Sequence, residues 1–349
     1  MESFLISSNK VIYMDKRRVF VEEVLLHYDL GQLRGYETVS GGFVSFCLKL
    51  STTKGFFFLR EQYPLFNKIR YLNSILHELN EKGFPVAKPI ITRNGDSIVK
   101  IRNKVFSIYE WVEGDSIEPN GEISPERIVS AAKTLARLHR ETIEIAPEHV
   151  TVHECRDISH ITQLWAGGNS TLSKIERKGE KTTIDKEIIR IIPFVEHQLE
   201  LLERDLPYVR ERPNLSIIHG DFRRGQLIFQ ENQVAALVDF DDIKLGYSEY
   251  DLIKGITDFC QHPRKPELHL GRLESFVRSY KEVYGKIDLE PREVIAFLRH
   301  AMLTAIAFVL EKLAFEGQNQ SGIEVALYYV KACEWIKKKE KKIIKIFTK

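Results

Sequence analysis

Cysteine is scarce, and the four that occur, Cys47, Cys155, Cys260 and Cys333, show no C-x-x-C spacing. That argues against a disulfide framework and against a zinc finger or ribbon. The nearest approach to a ligand set is His153, Cys155 and His160, an unpatterned group of the kind that ordinarily packs or faces water. Charge of one sign is lacking too: 51 Lys and Arg oppose 49 Asp and Glu, and a formal charge of +2 provides no global field to gather nucleic acid or a membrane surface. No apolar run approaches the roughly 18 residues a membrane span needs, and the start "MESFLISSNK" has no basic segment followed by an apolar one. The expectation is a cytoplasmic protein with neither nucleic acid nor membrane as partner. A G-x-x-x-x-G-K-[ST] phosphate loop is absent, as are internal repeats. The only biased stretch, "KKKEKKIIKIFTK", reads as the solvated face of a terminal helix.

What is present is ordinary globular composition, 43% apolar and 29% charged over 349 residues, enough for two domains with separate cores. Residues 36–60 alternate with period two and are rich in aromatics, so "YETVS", "SFCLKL" and "GFFFLR" are predicted strands, with Phe46, Leu48 and Leu50 on one face. Residues 65–82 place Ile69, Leu72, Ile75, Leu76 and Leu79 at helical spacing before Gly83. "FPVAKPI" is an extended connector, Asn94-Gly95 predicts a hairpin between "KPIIT" and "SIVKI", and "VFSIYEWV" is the next strand. The first domain, residues 1–112, is therefore a small sheet with one helix packed on it.

From Ser124 the pattern turns helical. Ser124 is the expected N-cap and Pro125 the first helical residue of "SPERIVSAAKTLARLHRET". Further helices are predicted over 184–206, where Pro193 should kink or split the element, and over 271–285 and 290–315. Residues 151–180, polar and containing Gly167-Gly168, are expected to be an insertion or a mobile loop within a second domain of residues 113–349. The strands of this half are "LSII", "QLIF" and "VAALVDF", gathered around "HGDFRRG" and "DFDD".

Those strands carry the chemistry. Asp221 follows an apolar run in a tight His-Gly-Asp turn, and Asp239 closes the next apolar run but one. Each acid alone would be an ordinary turn residue capping a backbone N–H. Two carboxylates on rigid strand ends, one to accept a proton and one to hold a hard cation, suit Mg-dependent phosphoryl transfer. Asp251, in "SEYDLIKGI", reads instead as a structural residue opening a helix.

"HGDFRRGQLIF" and "VAALVDFDDIKLGYSEYDL" resemble the aminoglycoside phosphotransferase and choline kinase superfamily. The likeness runs over roughly residues 25–330 and takes in the Gly41-Gly42 hairpin, the connector, the strand "FSIYEWVEG" and the helix containing "LARLHRET". The type II homoserine kinases and spore-coat-associated members are similar branches. The resemblance implies an α+β, bilobal protein-kinase-like fold with a hinge near 110–114. It implies Asp221 as catalytic base, Arg223 reaching toward the transferred phosphate, and Asp239 with Gln226 as Mg ligands. Ser40, Gly41 and Gly42 would cover the phosphates of ATP, Arg60 would be the basic residue of the third strand, and backbone atoms near Glu110 and Val112 would hold adenine.

Three positions depart from the family pattern. Gln226 stands where Asn is usual, keeping the amide oxygen one methylene further out, as in maltose-phosphorylating relatives. Arg60 stands where Lys is commoner, and a guanidinium is not interchangeable with an ammonium. No Asp or Glu occurs between Gln62 and His77, so the first turns of the following helix offer Arg60 no carboxylate; Glu61 and Glu78 are the alternatives. The reading is an ATP- and Mg-dependent kinase acting on a hydroxyl of a small molecule of aminoglycoside, amino-alcohol, homoserine or sugar type. Its rival is a kinase-shaped structural protein, weakly active or non-catalytic, of the spore-coat-associated kind, which leaves spore association open. Asp241, Asp242 and Glu249 near the catalytic turn suit either a cationic acceptor or a solvated acidic rim.

Overall fold

The computed structural model describes residues 17–39, 46–62, 65–118, 121–145, 171–205, 215–315 and 320–349. The chain divides into two compact units, one comprising Met1–Gly114 with Ala235–Val238 and the other Asp115–Val234 with Asp239–Lys349.

In the first unit a helix over 17–25 (α1) precedes β1 (Leu33–Thr38), β2 (Cys47–Thr52) and β3 (Gly55–Gln62). Then come α2 (Phe66–Glu81), β4 (Val99–Ile101) and β5 (Lys104–Glu110). The strands form one antiparallel sheet in the order β1-β2-β3-β5-β4. Alternation divides its side chains between two faces. Leu48, Leu50, Leu59, Phe106 and Ile108 are fully buried against Val21, Val24 and Tyr28 of the α1 region. Each such side chain contributes about 1.5–3 kcal/mol of burial. Val105, of opposite parity to Phe106, meets Ile69 of α2 and Ile98 on the other face.

The Asn94-Gly95 turn forms, with Gly95 at φ 81° and its N–H on Thr92 O at 3.0 Å. The predicted ladder between 88–92 and 97–101 does not. Both segments lie along β5 instead: Ile90 N–H donates to Ile108 O and Glu110 N–H to Lys88 O, while β4 pairs with Lys104–Phe106. The hairpin turn in this region is Arg102-Asn103, where Arg102 takes φ 56°.

The second unit is mainly helical: α3 (Pro125–Glu141), α4 (Thr171–Glu176), α5 (Thr183–Asp205), α6 (Ser248–Phe259), α7 (Leu270–Tyr284), α8 (Pro291–Phe315) and α9 (Gln320–Thr348). Ser124 Oγ accepts from Arg127 N–H at 3.2 Å, the expected N-cap. The helix over 183–205 runs as one element with Pro193 inside it and is not split. Most of the expected insertion, residues 151–170, lies outside the described residues, as do His153, Cys155 and His160. Helix α8 corrects the expectation about apolar runs. Pro291–Leu310 is long and apolar enough to cross a membrane, with a mean hydropathy of 1.8 over its best window, yet 67% of that window is buried within the protein. A helix apolar on all sides is accounted for by such packing, here along α9 and α5.

The remaining strands are short: β6 (Asp115–Ser116), β7 (Ser216–Ile218), β8 (Leu227–Gln230), β9 (Gln233–Leu237), whose residues from Ala235 on belong to the first unit, and β10 (Lys244–Gly246). β8 and β9 form a hairpin flanked by β6, and β10 pairs antiparallel with β7.

Candidate active site

The β7–β10 ladder explains why two acidic turns meet. β7 runs into His219-Gly220-Asp221, and β10 returns beside it directly after a 3-10 turn over Phe240–Asp242. Gly220 has φ 80°, and a Cβ there would collide with the Asp242 carbonyl. Only glycine permits this approach. Asp239 lies two residues past β9 in the left-handed conformation, φ 65° and ψ 60°. Arg102 and Glu231 share that conformation but sit at hairpin turns. Asp is among the few residues that enter this region readily.

Gln226, in a 3-10 turn over Arg224–Gln226, joins the two acids. Its Nε2 lies 3.3 Å from Asp221 Oδ2 and 3.1 Å from Asp239 Oδ2. Asp221 is the most heavily engaged group. Lys254 Nζ lies 2.9 Å from its Oδ1, and Arg223 Nε donates to its Oδ2 at 2.7 Å. Burial alone would raise the Asp221 carboxyl; the Lys254 ammonium and then Arg223 outweigh it and hold the group below the usual carboxylate range. Lys254 also donates to Gly220 O at 2.8 Å. Burial would lower its ammonium, but the charges of Tyr250 and Asp221 raise it above the ordinary lysine value.

The turn itself is held from behind. Asp251, in the first turn of α6 and fully buried, accepts from His219 N–H at 2.6 Å and Gly220 N–H at 2.9 Å. His139 Nε2 of α3 approaches the same carboxylate at 3.3 Å, while its Nδ1 meets Tyr280 Oη of α7 at 2.8 Å. Burial would raise Asp251, but the hydrogen bond and charge of His139 and the contact with Gly220 N–H lower it. Asp251 is thus structural, as expected, with a role beyond opening a helix: it clamps the His-Gly-Asp turn. Arg224 is likewise structural. Its backbone N–H and Nε donate to Asp258 at 2.7 and 3.1 Å, its Nη1 donates to Gly121 O at 2.9 Å, and its Nη2 donates to the Asp258 carbonyl.

In the first unit, Arg60 lies on β3 between Cys47 of β2 and Ser107 of β5. Glu61 points to the opposite face and is paired with Lys104 at 2.8 Å, while Glu78 is paired with Lys82 at 2.7 Å. Where an acid on α2 was sought, the helix supplies Asn73, 1% exposed. Its Nδ2 donates to Ser107 Oγ at 3.4 Å, and its Oδ1 accepts from Tyr109 Oη at 2.9 Å; Gln62 Nε2 donates to the same hydroxyl at 3.0 Å. A neutral amide chain therefore occupies this face. Glu110 N–H is committed to Lys88 O at 2.9 Å, so any contact of the Glu110 backbone with an adenine edge would fall to its carbonyl. Ser40, Gly41 and Gly42 lie outside the described residues.

Among the described residues no three His, Cys, Asp or Glu side chains gather at metal-binding distance. A cation here would be held by Asp239 and, with the amide turned so that its oxygen takes the place of Nε2 beside that carboxylate, by Gln226. These are hard donors, and Mg²⁺ characteristically uses one or two carboxylates with substrate phosphates completing the shell. The donor set fits that ion. Beside Asp221 and Arg223 a cavity of about 410 Å³ opens between α6 and α8. Of the three acids considered near the turn, Asp242 alone lines it. Glu249 is buried and accepts from Ser248 Oγ.

The sequence pattern of the phosphotransferase enzyme family (APH) matches residues 39–294. The chain belongs to that family. A homoserine kinase of Caulobacter vibrioides is 25% identical over 319 residues, covering 89% of this chain and 91% of that one. An aminoglycoside phosphotransferase from Alicyclobacillus acidocaldarius superposes with a TM-score of 0.68 at 17% identity, over 93% of this chain and 95% of its own. A spectinomycin phosphotransferase, solved with ADP and spectinomycin, gives 0.65 at 14% identity over 94% and 96%. The bilobal kinase-like fold expected from the motifs is the fold of these neighbours, and the chain is a small-molecule phosphotransferase.

Proposed function

We propose that this phosphotransferase moves the γ-phosphate of ATP, with Mg²⁺, to a hydroxyl of a small molecule, with Asp221 as its base. The observation that carries this reading is the convergence of Asp221 and Asp239 on one amide, Gln226 Nε2, at 3.3 and 3.1 Å. The spectinomycin phosphotransferase bound to ADP supports nucleotide use. Homoserine kinase and aminopropanol kinase relatives support a hydroxyl acceptor.

Asp221 orients the acceptor hydroxyl and takes its proton as the oxygen bonds to the γ-phosphorus and the bond to the bridging β-oxygen breaks. A carboxylate held below the usual range is a weak base. That suffices for a loose transition state, in which positioning and charge neutralisation dominate. Arg223, 54% exposed and fixed by one bond to Asp221, can turn its remaining N–H groups toward the transferred phosphoryl oxygens. Lys254 holds Asp221 in place and balances its charge. Asp239 and Gln226 would hold the cation, which neutralises charge on the phosphates when bound. Arg60 of β3 is assigned to the phosphates, and Glu110 carbonyl and Val112 N–H to the adenine edge. The rival, a kinase-shaped scaffold, predicts no Mg-dependent ATP binding.

The test is ADP release from Mg-ATP over a panel of alcohols, for the parent and for Asp221→Asn and Asp239→Ala. Acceptor-dependent release by the parent and its loss in Asp221→Asn are expected. ATP binding that is absent, or indifferent to Mg²⁺, would reject the reading.

A further inference from the structure

The acceptor cavity has a chemical character of its own. Its walls are single helix faces: Tyr250, Ile253 and Thr257 recur along α6, and Phe297, Ala301, Thr304 and Ala305 along α8. Met302, also of α8, and Tyr329 of α9 contribute further apolar surface. The space arises where α8 presents the small residues Ala301 and Ala305 between larger ones. At about 410 Å³ it falls within the roughly 300–1,000 Å³ of pockets that take drug-sized ligands.

The charges beside it are largely balanced. Both lining cations, Lys254 and Arg223, sit on Asp221 at 2.9 and 2.7 Å. Asp258 is held by Arg224 at 3.1 Å. Among the described lining residues this leaves Asp242 as one carboxylate for one cationic group at most. A polycationic acceptor needs several carboxylates, which this lining does not offer, and the carboxylate of an amino acid would have to compete for Arg223, already assigned to the transferred phosphoryl oxygens; Thr257, Gln261, His300 and Thr304 add polar edges to a wall otherwise of aromatic, branched and alanine side chains.

Resting on the phosphotransferase reading above, we propose that the acceptor is an arylalkyl alcohol. Its hydroxyl lies at Asp221 and its apolar body lies against Phe297, Ala301, Met302 and Ala305. The hydroxyl oxygen forms the new bond to phosphorus, its proton passes to Asp221, and ADP leaves; the apolar body takes no part in the chemistry.

The test compares phenylbutanol, homoserine, aminopropanol and kanamycin as acceptors with Mg-ATP, and titrates phenylbutanol calorimetrically into the Mg-ADP-loaded chain. Phenylbutanol is expected to give the highest kcat/KM. Ala301→Leu and Ala305→Leu, which fill the cavity, are expected to lower it roughly 10- to 200-fold, mainly through KM, the range that hydrophobic pockets show for small volume changes. Saturable binding of phenylbutanol to the parent supports the proposal even if both leucine variants fail to fold, and absence of binding overturns it. Preference for homoserine, aminopropanol or kanamycin, or an unchanged phenylbutanol KM in two folded variants, overturns the acceptor class and leaves the phosphotransferase reading standing. Loss of all nucleotide binding and of ADP release with every acceptor rejects both.

Discussion

Lys254 sets what Asp221 can do. A buried carboxylate without a cation would be a stronger base and a poorer anion; with Lys254 at 2.9 Å it stays ionised into acid. Asp221→Asn should lower kcat by about 10²- to 10⁴-fold, the usual contribution of a general base, with little change in nucleotide affinity; steady-state rates and a nucleotide titration check both. Since the Asp221 pKa is depressed, the acid limb of the parent's rate profile should fall below the ordinary carboxylate range. Lys254→Met leaves burial opposed only by Arg223 and the Gln226 hydrogen bond, so the limb should move to higher pH and kcat should fall; a pH–rate profile that does not move would remove Lys254 from the site. Asp221 and Asp239 were legible in the sequence because each follows an apolar run that a solvated loop would not need. Lys254 was not, since one lysine in a helix is ordinarily solvent-facing. The available signal was the charged set Asp251, Lys254 and Asp258 at i, i+3 and i+7, which a helix places on one face.

At the scale of elements, α6 acts as the backing plate of the His219-Gly220-Asp221 turn. Asp251 satisfies two backbone N–H groups that would otherwise be buried without acceptors, and it ties them through His139 to α3 and through Tyr280 to α7. Asp251→Ala should destabilise the chain by about 3–5 kcal/mol, as removal of one member of a buried charged network does, measured by urea unfolding at neutral pH. The depressed pKa of Asp251 gives the sign of the pH dependence. Its stabilisation is present above the carboxyl's unfolded value and is lost as pH falls through the lower folded value. The parent and Asp251→Ala should therefore converge in stability only in strong acid. Elements with strong periodicity and caps, such as α2 and α3, were readable because one stripe meets the core and Ser124 marks a start. Helix α1 was overlooked although Val21, Val24, Leu25 and Tyr28 stand at i, i+3, i+4 and i+7. The Asn94-Gly95 hairpin was misassigned because turn chemistry fixes a reversal of the chain, while the strand that each arm pairs with is decided by tertiary packing against β5.

Over the whole molecule, ligand binding reports on stability in a way no single distance can. A ligand that binds only the folded state stabilises it by RT ln(1 + [L]/Kd), about 2.7 kcal/mol at a hundredfold excess over Kd. The two units have separate bodies, so unfolding need not be a single transition, and the measured quantity should be the transition that moves with ligand. If Asp239 and Gln226 hold the cation, Mg-ATP should raise that transition more than ATP alone. In Asp239→Ala the Mg²⁺ increment should vanish, because Gln226 offers only a neutral oxygen to a divalent ion. In Gln226→Ala it should shrink without vanishing, because the anionic ligand remains. Gln226→Asn separates the enzyme from the scaffold. In an enzyme the longer amide already reaches its cation, and shortening it should reduce the increment measured by calorimetric melts with and without Mg²⁺. A parent with no increment, restored by Gln226→Asn, would instead identify the extra methylene as the lesion of a site that had lost its metal.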